Sequence, residues 1–480
     1  MRRLAVLKSV ASLQGAFLST SAFAEQLEKL QSQLGSVSPD RRAELLRHGR
    51  HLFESEKLDD AENALNSQNI GRICQSASQL RISPIKSVSF GQTIDYCLSE
   101  KAENTLELDT VARVIHSCLV LRYPLLHEVL CCYTWPIIHQ ASTLGGVSIA
   151  VIINAYGRAG YHHSRLYPAL CKEAAVKMKD SRVYLPHIAN VAHALARVGY
   201  SDPALLLVLR DQAVKQSESA SPLIAVTLLD AFASLGYMDE QVFQIYEKRI
   251  VSCMNEIQGP LLASFFSCLV LANRADKAVV DSIGERVVAI IDTLDSSSIA
   301  KFCKAYADSG IVSEEVLGSL AEHSCKVASN FRADEIHQVL HCLSSFDLFD
   351  GELFPLLAGR LAILFKQSGQ GEIVRPTDAA GILASFAAVQ ENSDELAYVC
   401  TNICALQNIL PADAYINVLW ACATLNIRNE AQTKLLNRVR EQPTLLDFPA
   451  EDSGKSKRSA RLNSILTDRK NKVLNMYALS

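Results

Sequence analysis

One octapeptide, His193 to Tyr200 (HALARVGY), returns in altered form through most of the chain and constrains the fold more than any other feature. The counterparts of its glycine are separated by 36 to 43 residues, most often by 37. They are Arg122, Gly160, Gly199, Gly236, Asn273, Gly310, Asp347, Gln390 and Asn426. Most are Gly, Asn or Asp, which tolerate the left-handed conformation that ends a helix. A fixed period of this length predicts a repeat protein.

The residues before each stop predict a helix, which we call helix A of the repeat. All nine residues five positions before the stops are small. They are Ser117, Ala155, Ala194, Ala231, Cys268, Ala305, Cys342, Ser385 and Ala421. Positions four, seven and eight before the stop are mostly apolar, so the apolar residues share one helical face. Small residues on that face would let neighbouring helices approach closely.

The ends of the helices are also marked. Several A segments open near a proline, which suits a first helical turn because the missing N–H costs nothing there. The prolines are Pro186, Pro222, Pro260, Pro376 and Pro411. After the stop, Ser201-Asp202-Pro203 and Ser313-Glu314-Glu315 predict the start of a second helix, helix B. One helix pair cannot bury its apolar face alone, so the pairs must stack.

The sequence therefore predicts an all-α fold, an α-solenoid of about nine helix-turn-helix repeats with a period of about 37 residues. The repeats would occupy residues 108–445, after an N-terminal helical cap at residues 25–107. A Gly/Gln-rich loop near Gln367 to Glu372 accounts for the one spacing of 43 residues. Residues 446–480 lose the period and predict a basic linker followed by a short helix.

Residues 1–24 have the pattern of a mitochondrial transit peptide. They contain Arg2, Arg3 and Lys8, and the first acidic residue is Glu25. Basic, serine-containing and acid-free leaders direct import into the mitochondrion, so we expect the protein in the matrix. A frayed N-terminal helix is the alternative. No apolar run approaches the roughly 18 residues of a membrane span.

The chain contains no pattern that predicts catalysis, a cofactor or a metal site. It lacks GxxxxGK[ST], GxGxxG after a strand, GxSxG, HExxH and CxxC. His337 and His341 have the helical spacing of zinc ligands, but no third ligand is evident, and a packed histidine pair explains them better. The 14 scattered cysteines read as buried thiols in a reducing compartment. We expect no enzyme activity.

A polar strip runs along the A helices at two, six and nine residues before the stops. These offsets share one helical face, away from the apolar columns. The strip comprises Arg113, His116, Asn154, Arg158, Asn190, His193, Arg197, Thr227, Asp230, Ser234, Ser264, Ser267, Lys301, Lys304, Gln338, His341, Asn417 and Trp420. Cations suit phosphates, and amides and hydroxyls suit base edges, so the strip favours single-stranded RNA. Any solenoid nevertheless needs a solvated face of this kind.

Cations concentrate in residues 157–198, although the whole chain has a net charge of −4. The island suggests one defined anion, such as an RNA phosphate. The candidate RNA-binding residues are Arg158, His162, His163, Arg165, Lys172, Lys177, Lys179, Arg182, Asn190, His193 and Arg197, with Lys301 and Lys304 further along the strip. Two smaller basic patches, at residues 41–51 and 455–461, could equally be solvated surface.

The helical hairpin with its small-residue turn resembles organellar RNA-binding repeats. The residues that carry the likeness are Ala194-Leu195-Ala196 with Gly199-Tyr200, Ala231-Phe232-Ala233 with Gly236-Tyr237, and Ala305-Tyr306-Ala307 with Gly310. The families are the octotricopeptide, heptatricopeptide and FAST-kinase-like proteins. Many members end in a nuclease-like RAP domain, for which residues 446–480 are too short and too polar.

The leader, the repeats and the length also look like the guide-RNA-binding subunits of the kinetoplastid mitochondrial editing complex. That resemblance implies binding to small RNAs, pairing with a paralogous or other helical-repeat subunit, and residence in a large RNA–protein assembly. Our first hypothesis is therefore an RNA-binding subunit of a mitochondrial RNA-processing or editing complex. The alternative is a non-catalytic protein scaffold of a mitochondrial ribosome or respiratory complex, which the acidic net charge favours.

Overall fold

A computed structural model describes most of the chain, and that part is helical almost throughout. The described residues are 17–18, 20–34, 39–55, 57–58, 66–99, 102, 105–179, 183–367, 374–391, 394–405, 410–428, 430–447 and 457–477. Most of the predicted leader, the loop at 368–373, linker residues 448–456 and Arg182 lie outside them.

The helices belong to two compact units, Met1–Arg249 and Ile250–Ser480. In the first unit the odd-numbered helices form one row. They are α1 (Thr20–Leu34), α3 (Ser67–Leu80), α5 (Leu108–Val120), α7 (Gly146–Arg158), α9 (Leu185–Val198) and α11 (Pro222–Ser234). The even-numbered helices alternate with them. They are α2 (Pro39–Ser55), α4 (Val88–Cys97), α6 (Leu126–Gln140), α8 (Leu166–Lys177), α10 (Pro203–Lys215) and α12 (Glu240–Ser252).

The second unit repeats this alternation. Its odd-numbered helices are α13 (Gly259–Leu271), α15 (Ser296–Ser309), α17 (Ala333–Ser345), α19 (Pro376–Val389), α21 (Ala412–Thr424) and α23 (Lys457–Tyr477). Its even-numbered helices are α14 (Lys277–Ala289), α16 (Glu314–Lys326), α18 (Leu353–Gln367), α20 (Asp394–Ala405) and α22 (Glu430–Glu441). Helices α5 to α21 with odd numbers are the predicted A helices, and the even-numbered helices after them are the B helices.

Within each unit every A helix packs along the next A helix, as α7 does on α9 and α17 does on α19. The B helices form a second row on the other side of the pairs, as α8 and α10 do. This arrangement confirms the predicted all-α solenoid of helix pairs. The only strands in the described part of the chain are two residues long, β1 (Phe17–Leu18) and β2 (Lys57–Leu58), which pair in parallel.

All nine predicted stops adopt the left-handed backbone conformation. Their φ angles lie between 52° at Arg122 and 69° at Gly310. At most of them the next amide donates to a carbonyl five residues back, as Tyr200 N does to Leu195 O at 3.0 Å. This bond satisfies a carbonyl that the helix leaves free at its C-terminal end. The sequence period therefore coincides with the residues at which the backbone becomes left-handed and the A helices end.

The nine small residues of the A helices are all buried between neighbouring helices. The closest approach is at Gly157 of α7, where an added Cβ would lie 2.6 Å from the Cβ of Ala194 on α9. A larger side chain at either position would separate the helices, which explains why all nine positions hold small residues.

The helix starts mostly agree with the sequence. Prolines 186, 222, 260 and 376 lie in first turns, whereas Pro411 is the residue before α21. Asp202 caps α10 by accepting the N–H of Leu205 at 2.9 Å. Ser313 precedes α16 but makes no capping bond through its side chain.

The packing of the A row extends before the predicted repeats. Helix α3 packs on α5 as α5 packs on α7, and α1 packs on α3. Arg81, at the end of α3, is left-handed with φ of 49°. Its distance from Arg122 along the chain is longer than the usual period, which hid this stop in the sequence. None of the described helices combines the length and the apolar character that a membrane crossing requires.

Candidate nucleic-acid interface

The first unit contains a groove of about 1460 Å³ along its A row. Four successive A helices, α3, α5, α7 and α9, contribute to its walls, together with the end of α8. His116 on α5 and His187 on α9 are two helices apart in the row, yet they lie close enough to interact electrostatically. The A surface therefore curves inward here.

The charges that line the groove are mostly positive. Arg81, Arg113 and Lys177 face a single carboxylate, Asp109. The guanidinium of Arg113 lies against Gly71 of α3, where an added Cβ would be 2.7 Å from its Nη1. Amide and hydroxyl groups complete the polar lining, from Gln75, Ser78, Gln79, Ser117 and Ser148. Ser78 and Ser117 donate their hydroxyls to the carbonyl oxygen of Cys74, so Gln75, Gln79 and Ser148 remain, beside the cations, as the neutral groups that suit an RNA strand.

Two histidines that line the groove, His116 and His187, and His193 beside it on α9 have lowered pKa values. Burial lowers the pKa of His116, and the positive charges of His187 and Arg158 lower it further. Burial also lowers the pKa of His187. The pKa of His193 is lowered by burial and by Arg197 and Arg158, while Asp230 opposes the shift. These rings can therefore gain protons when an anion arrives.

Part of the predicted strip lies together on this surface. Arg158, in the last turn of α7, is exposed and close enough to affect both His116 on α5 and His193 on α9. Asn190 and Arg197 are exposed on α9, the same helix as His193. The strip residues of α5, α7 and α9 consequently form one cationic surface that borders the groove.

Three other predicted residues belong to the turn from α7 to α8 and lie away from the groove. His163 and Arg165 lie against Trp135 of the B helix α6. His162 is exposed in the same turn. The predicted island is therefore divided, because a turn between helices carries the chain from the A row to the B row.

The lysines of α8 are also divided. Lys172 and Lys179 are exposed at its middle and just after its end. Lys177 donates to the carbonyl oxygen of Leu144 at 2.6 Å and to that of Ser142. Although Lys177 reaches the groove, its ammonium group holds the turn that leads into α7. Its main role is structural.

Lys177 is the first of a column of side chains, on B helices or at the residue directly after one, that bind the backbone before the A helix of their own repeat. We call this contact the clasp. In the first unit Gln216 binds Val183 O at 3.0 Å, and Arg249 binds Ala220 O at 2.5 Å. In the second unit Arg286 binds Ile257 O at 3.4 Å and His323 binds Leu294 O at 3.1 Å. Arg360 continues the column with Phe331 O at 3.0 Å.

In the second unit the predicted residues Lys301 and Lys304 are exposed on α15. Burial, together with Arg375 and Lys304, lowers the pKa of His337, on α17, to about 4. The ring of His337 lies directly over Gly381 of α19, and it stacks on His341 with 5.7 Å between centroids. The histidine pair is thus packed in the A row, as the sequence indicated. The described residues contain no group of three or more potential metal ligands.

The strip of the second unit is covered at its last repeat. Arg469 of α23 donates to Asn417 Oδ1 at 2.7 Å, and its guanidinium lies 4.2 Å from the centroid of Trp420. Burial lowers the pKa of Arg469 to about 10. Asn417 and Trp420 are therefore engaged within the chain.

The comparison with protein families is decisive for the class of protein. The model of the family described as RNA-editing substrate-binding complex 6 protein matches residues 48–430, well over half of the chain. The chain belongs to this family. No curated protein matches the chain. Membership makes it a subunit of the RNA-editing substrate-binding complex, which confirms the coarser part of the expected editing-complex resemblance. It also supports a mitochondrial location, because kinetoplastid RNA editing is mitochondrial.

The region matched by the RNA-editing substrate-binding complex 6 family contains α3 to α21 and all the residues of the groove. The resemblance to octotricopeptide, heptatricopeptide and FAST-kinase-like repeats, by contrast, stays a prediction. The matched region ends before α23, which covers Trp420.

Sequence reasoning missed the contribution of α3 to the groove. Its residues Gln75, Ser78 and Gln79 lay in the segment predicted as a separate cap. The signal was present, because Ser76 and Ala77 are small residues that precede a left-handed stop at Arg81. Trp135 lies on a B helix, outside the strip that the A-helix offsets define.

Proposed function

We propose that this protein is a non-catalytic subunit of the mitochondrial RNA-editing machinery that binds a small single-stranded RNA, such as a guide RNA. Membership of the RNA-editing substrate-binding complex 6 family supports the assembly. The groove supports the ligand, since Arg81 and Arg113 line it together with a single carboxylate, Asp109, in a chain whose net charge is −4. A local cationic surface on an acidic protein favours a defined phosphate contact over general polyanion binding.

The path of the strand follows from the positions of the cations. Arg113 on α5 and Arg158 on α7 lie on successive A helices, and Arg197 follows on α9. Phosphates would bind this row of guanidinium groups, which suits their planar, multiply donating shape. The amides and hydroxyls of α3 and α7 would then lie beside the base edges.

Binding to a fluorescently labelled, uridine-rich 20-nucleotide RNA tests this proposal. Fluorescence anisotropy with the purified full chain should show an affinity that falls as KCl rises from 50 to 300 mM, with a slope of about 0.7 per neutralised phosphate. The double variant Arg113→Glu/Arg158→Glu should bind at least about tenfold more weakly and with a smaller salt slope.

Lys215→Glu/Lys248→Glu is the matched control, because both lysines are exposed near the ends of B helices in the same unit and the charge change is identical. It should bind RNA like the parent chain. Equal loss in both double variants would show that only net charge matters, and this result would contradict a site in the groove.

A protein scaffold is the second candidate, and one surface favours it. Leu356 and Ile363 are exposed seven residues apart on α18, which places them on one face of the helix. Tyr398 is exposed on α20, which packs beside α18. Exposed apolar groups on adjacent helices suit contact with another subunit. RNA affinity weaker than micromolar for the purified chain would favour this candidate over the first.

The assembly and the compartment follow from the same proposal. We expect paralogous or other helical-repeat proteins as partner subunits, and the mitochondrial matrix as the location. Fusing residues 1–24 to a fluorescent protein in a kinetoplastid cell tests the import part. Fluorescence outside the mitochondrion would contradict it.

A further inference from the structure

Trp135 lies outside the groove, on the B helix α6, and 47% of its surface is exposed. It belongs to an exposed row at every fourth residue of that helix, His127, Cys131, Trp135 and His139. The row is about 18 Å long at 1.5 Å per residue. An exposed indole presents a large, flat aromatic face that a ligand can cover.

Basic groups surround the indole ring of Trp135. The ring of His139 stacks on it at 5.7 Å between centroids, with 27° between the planes. The ring of His163 meets it edge-on at 5.4 Å and 88°. The guanidinium carbon of Arg165 lies 5.9 Å from its centroid. A π surface with three basic groups around it is suited to a base and its phosphate.

The cluster is held in place by contacts within its own helix and turn. His139 Nδ1 is 2.9 Å from the carbonyl oxygen of Trp135, and His163 Nδ1 accepts the N–H of Arg165 at 3.3 Å. Tyr161, which starts the turn, packs on His127 at 5.4 Å between centroids. Positions fixed in this way reduce the entropy lost when a ligand binds.

Carboxylates are few in the elements that form this surface, which are α6, α8 and the turn between α7 and α8. Between residues 126 and 179 the chain has only two carboxylates, Glu128 and Glu173. Glu128 lies two turns before Trp135 on α6, and Glu173 pairs with Lys177 at 3.9 Å. The exposed row of α6 contains no aliphatic side chain. It therefore lacks the apolar surroundings that a protein hot spot needs, and RNA is the better ligand.

We infer that Trp135, His139, His163 and Arg165 form a second RNA site, in which an unpaired base stacks on the indole and Arg165 binds its phosphate. The groove supplies cations but no aromatic side chain apart from histidine among its lining residues, so the two sites have complementary roles. The inference rests on the proposed function only in its choice of RNA as the ligand.

Intrinsic fluorescence can test this site directly, because the chain has only two tryptophans. In Trp420→Phe, Trp135 is the single emitter. Titration with unlabelled oligouridylate should quench its emission to saturation, since stacked bases quench indole fluorescence. Anisotropy of labelled RNA should follow the same binding curve.

Substitutions in the parent chain separate stacking from folding. Trp135→Ala should weaken RNA binding by about tenfold, a typical loss for one stacked base, whereas Trp135→Phe should retain most of the affinity. Arg165→Gln should weaken binding and reduce the salt slope. An unchanged melting temperature in each variant shows that the fold is intact.

The outcomes distinguish this site from the groove. If labelled RNA binds but Trp135 is not quenched and Trp135→Ala binds normally, the second site is wrong while the proposed function stands. If Arg113→Glu/Arg158→Glu abolishes anisotropy at micromolar protein but quenching persists at higher concentration, the second site is supported independently. If neither signal appears with the full chain, both proposals are overturned.

Discussion

Arg360 donates its Nε hydrogen to the carbonyl oxygen of Phe331 at 3.0 Å, across 29 residues of sequence. Phe331 is fully buried in the segment that leads into α17, and Arg360 lies on α18, the B helix of the same repeat. His323 and Arg286 make the corresponding bonds in the two preceding repeats. Each clasp ties a B helix to the backbone that leads into the A helix of the same repeat.

Removing one clasp should destabilise the second unit. Arg360→Met keeps the aliphatic length but leaves the Phe331 carbonyl without its donor, which should cost about 1–3 kcal/mol of unfolding free energy. Urea unfolding followed by circular dichroism measures the loss. Lys301→Met is the control, because Lys301 is exposed on α15 and should change the midpoint little. Equal midpoints for the two variants would contradict a structural role for the clasp.

Gly157→Ala should destabilise the first unit, although alanine is the better helix former. Its Cβ would lie 2.6 Å from Ala194 Cβ and 2.8 Å from Ala194 O, so α7 and α9 must separate. The expected cost is about 1–3 kcal/mol. Gly318→Ala on α16 is the matched control, since nothing lies within 4 Å of its added Cβ.

The control should gain about 0.5–1 kcal/mol, because alanine reduces the entropy of the unfolded chain. Thermal melts of the two variants should therefore move in opposite directions. If Gly157→Ala also raised the melting temperature, close packing of the A helices would not explain the column of small residues.

Stability should fall in mild acid because of His337. Its pKa is about 4 in the folded chain, lowered mainly by burial and further by Arg375 and Lys304, against about 6.5 unfolded. The unfolded chain therefore binds a proton between pH 6.5 and 4 that the folded chain excludes. The loss at pH 5 relative to pH 7.5 should be about 2 kcal/mol.

His337→Gln should abolish this part of the pH dependence, as measured by urea midpoints at the two pH values. His139→Gln is the comparison, because His139 is exposed on α6. The assignment fails if the two variants lose stability equally between pH 7.5 and pH 5.

RNA affinity should rise as the pH falls from 7.5 to 5.5. The pKa values of His116, His187 and His193 are lowered in the free protein, so the rings are neutral at pH 7.5. A bound phosphate favours their protonated form, and binding must then take up protons. We expect an affinity gain of about tenfold, measured by anisotropy at constant ionic strength.

His116→Gln/His187→Gln should reduce the pH dependence of the affinity while leaving the affinity at pH 7.5 nearly unchanged. A parent chain whose affinity is independent of pH would show that phosphate does not approach these rings. A flat profile with intact salt dependence would leave Arg113 and Arg158 as the principal contacts.

The fold could be predicted because each repeat marks its own end. A left-handed stop such as Asn273 or Asp347 follows a small residue and an apolar residue at fixed offsets. Because these offsets are local, they can be recognised in a single sequence. The stop at Arg81 was not found, because its spacing from Arg122 departs from the period.

The site was predicted less well, because neighbours along the chain need not share a surface. Arg158 and Arg165 are seven residues apart, but the first belongs to the A row and the second lies against Trp135 on α6. Lys177 could not be recognised as a clasp, since its acceptor at Leu144 is 33 residues earlier. Helical offsets group Arg158 with His116 and His193, which lie close together in the structure, whereas charge counted along the sequence merged separate surfaces.

Helix α23 has one further consequence. It runs along α21 in the place that the next A helix would take, with Leu466 and Val473 buried, and it has no B partner among the described helices. In a repeat protein, a repeat that is not packed against a neighbour or a capping element exposes its apolar side. Since α23 already covers this side of α21 within the chain, a helix of another molecule cannot pack on α21 there.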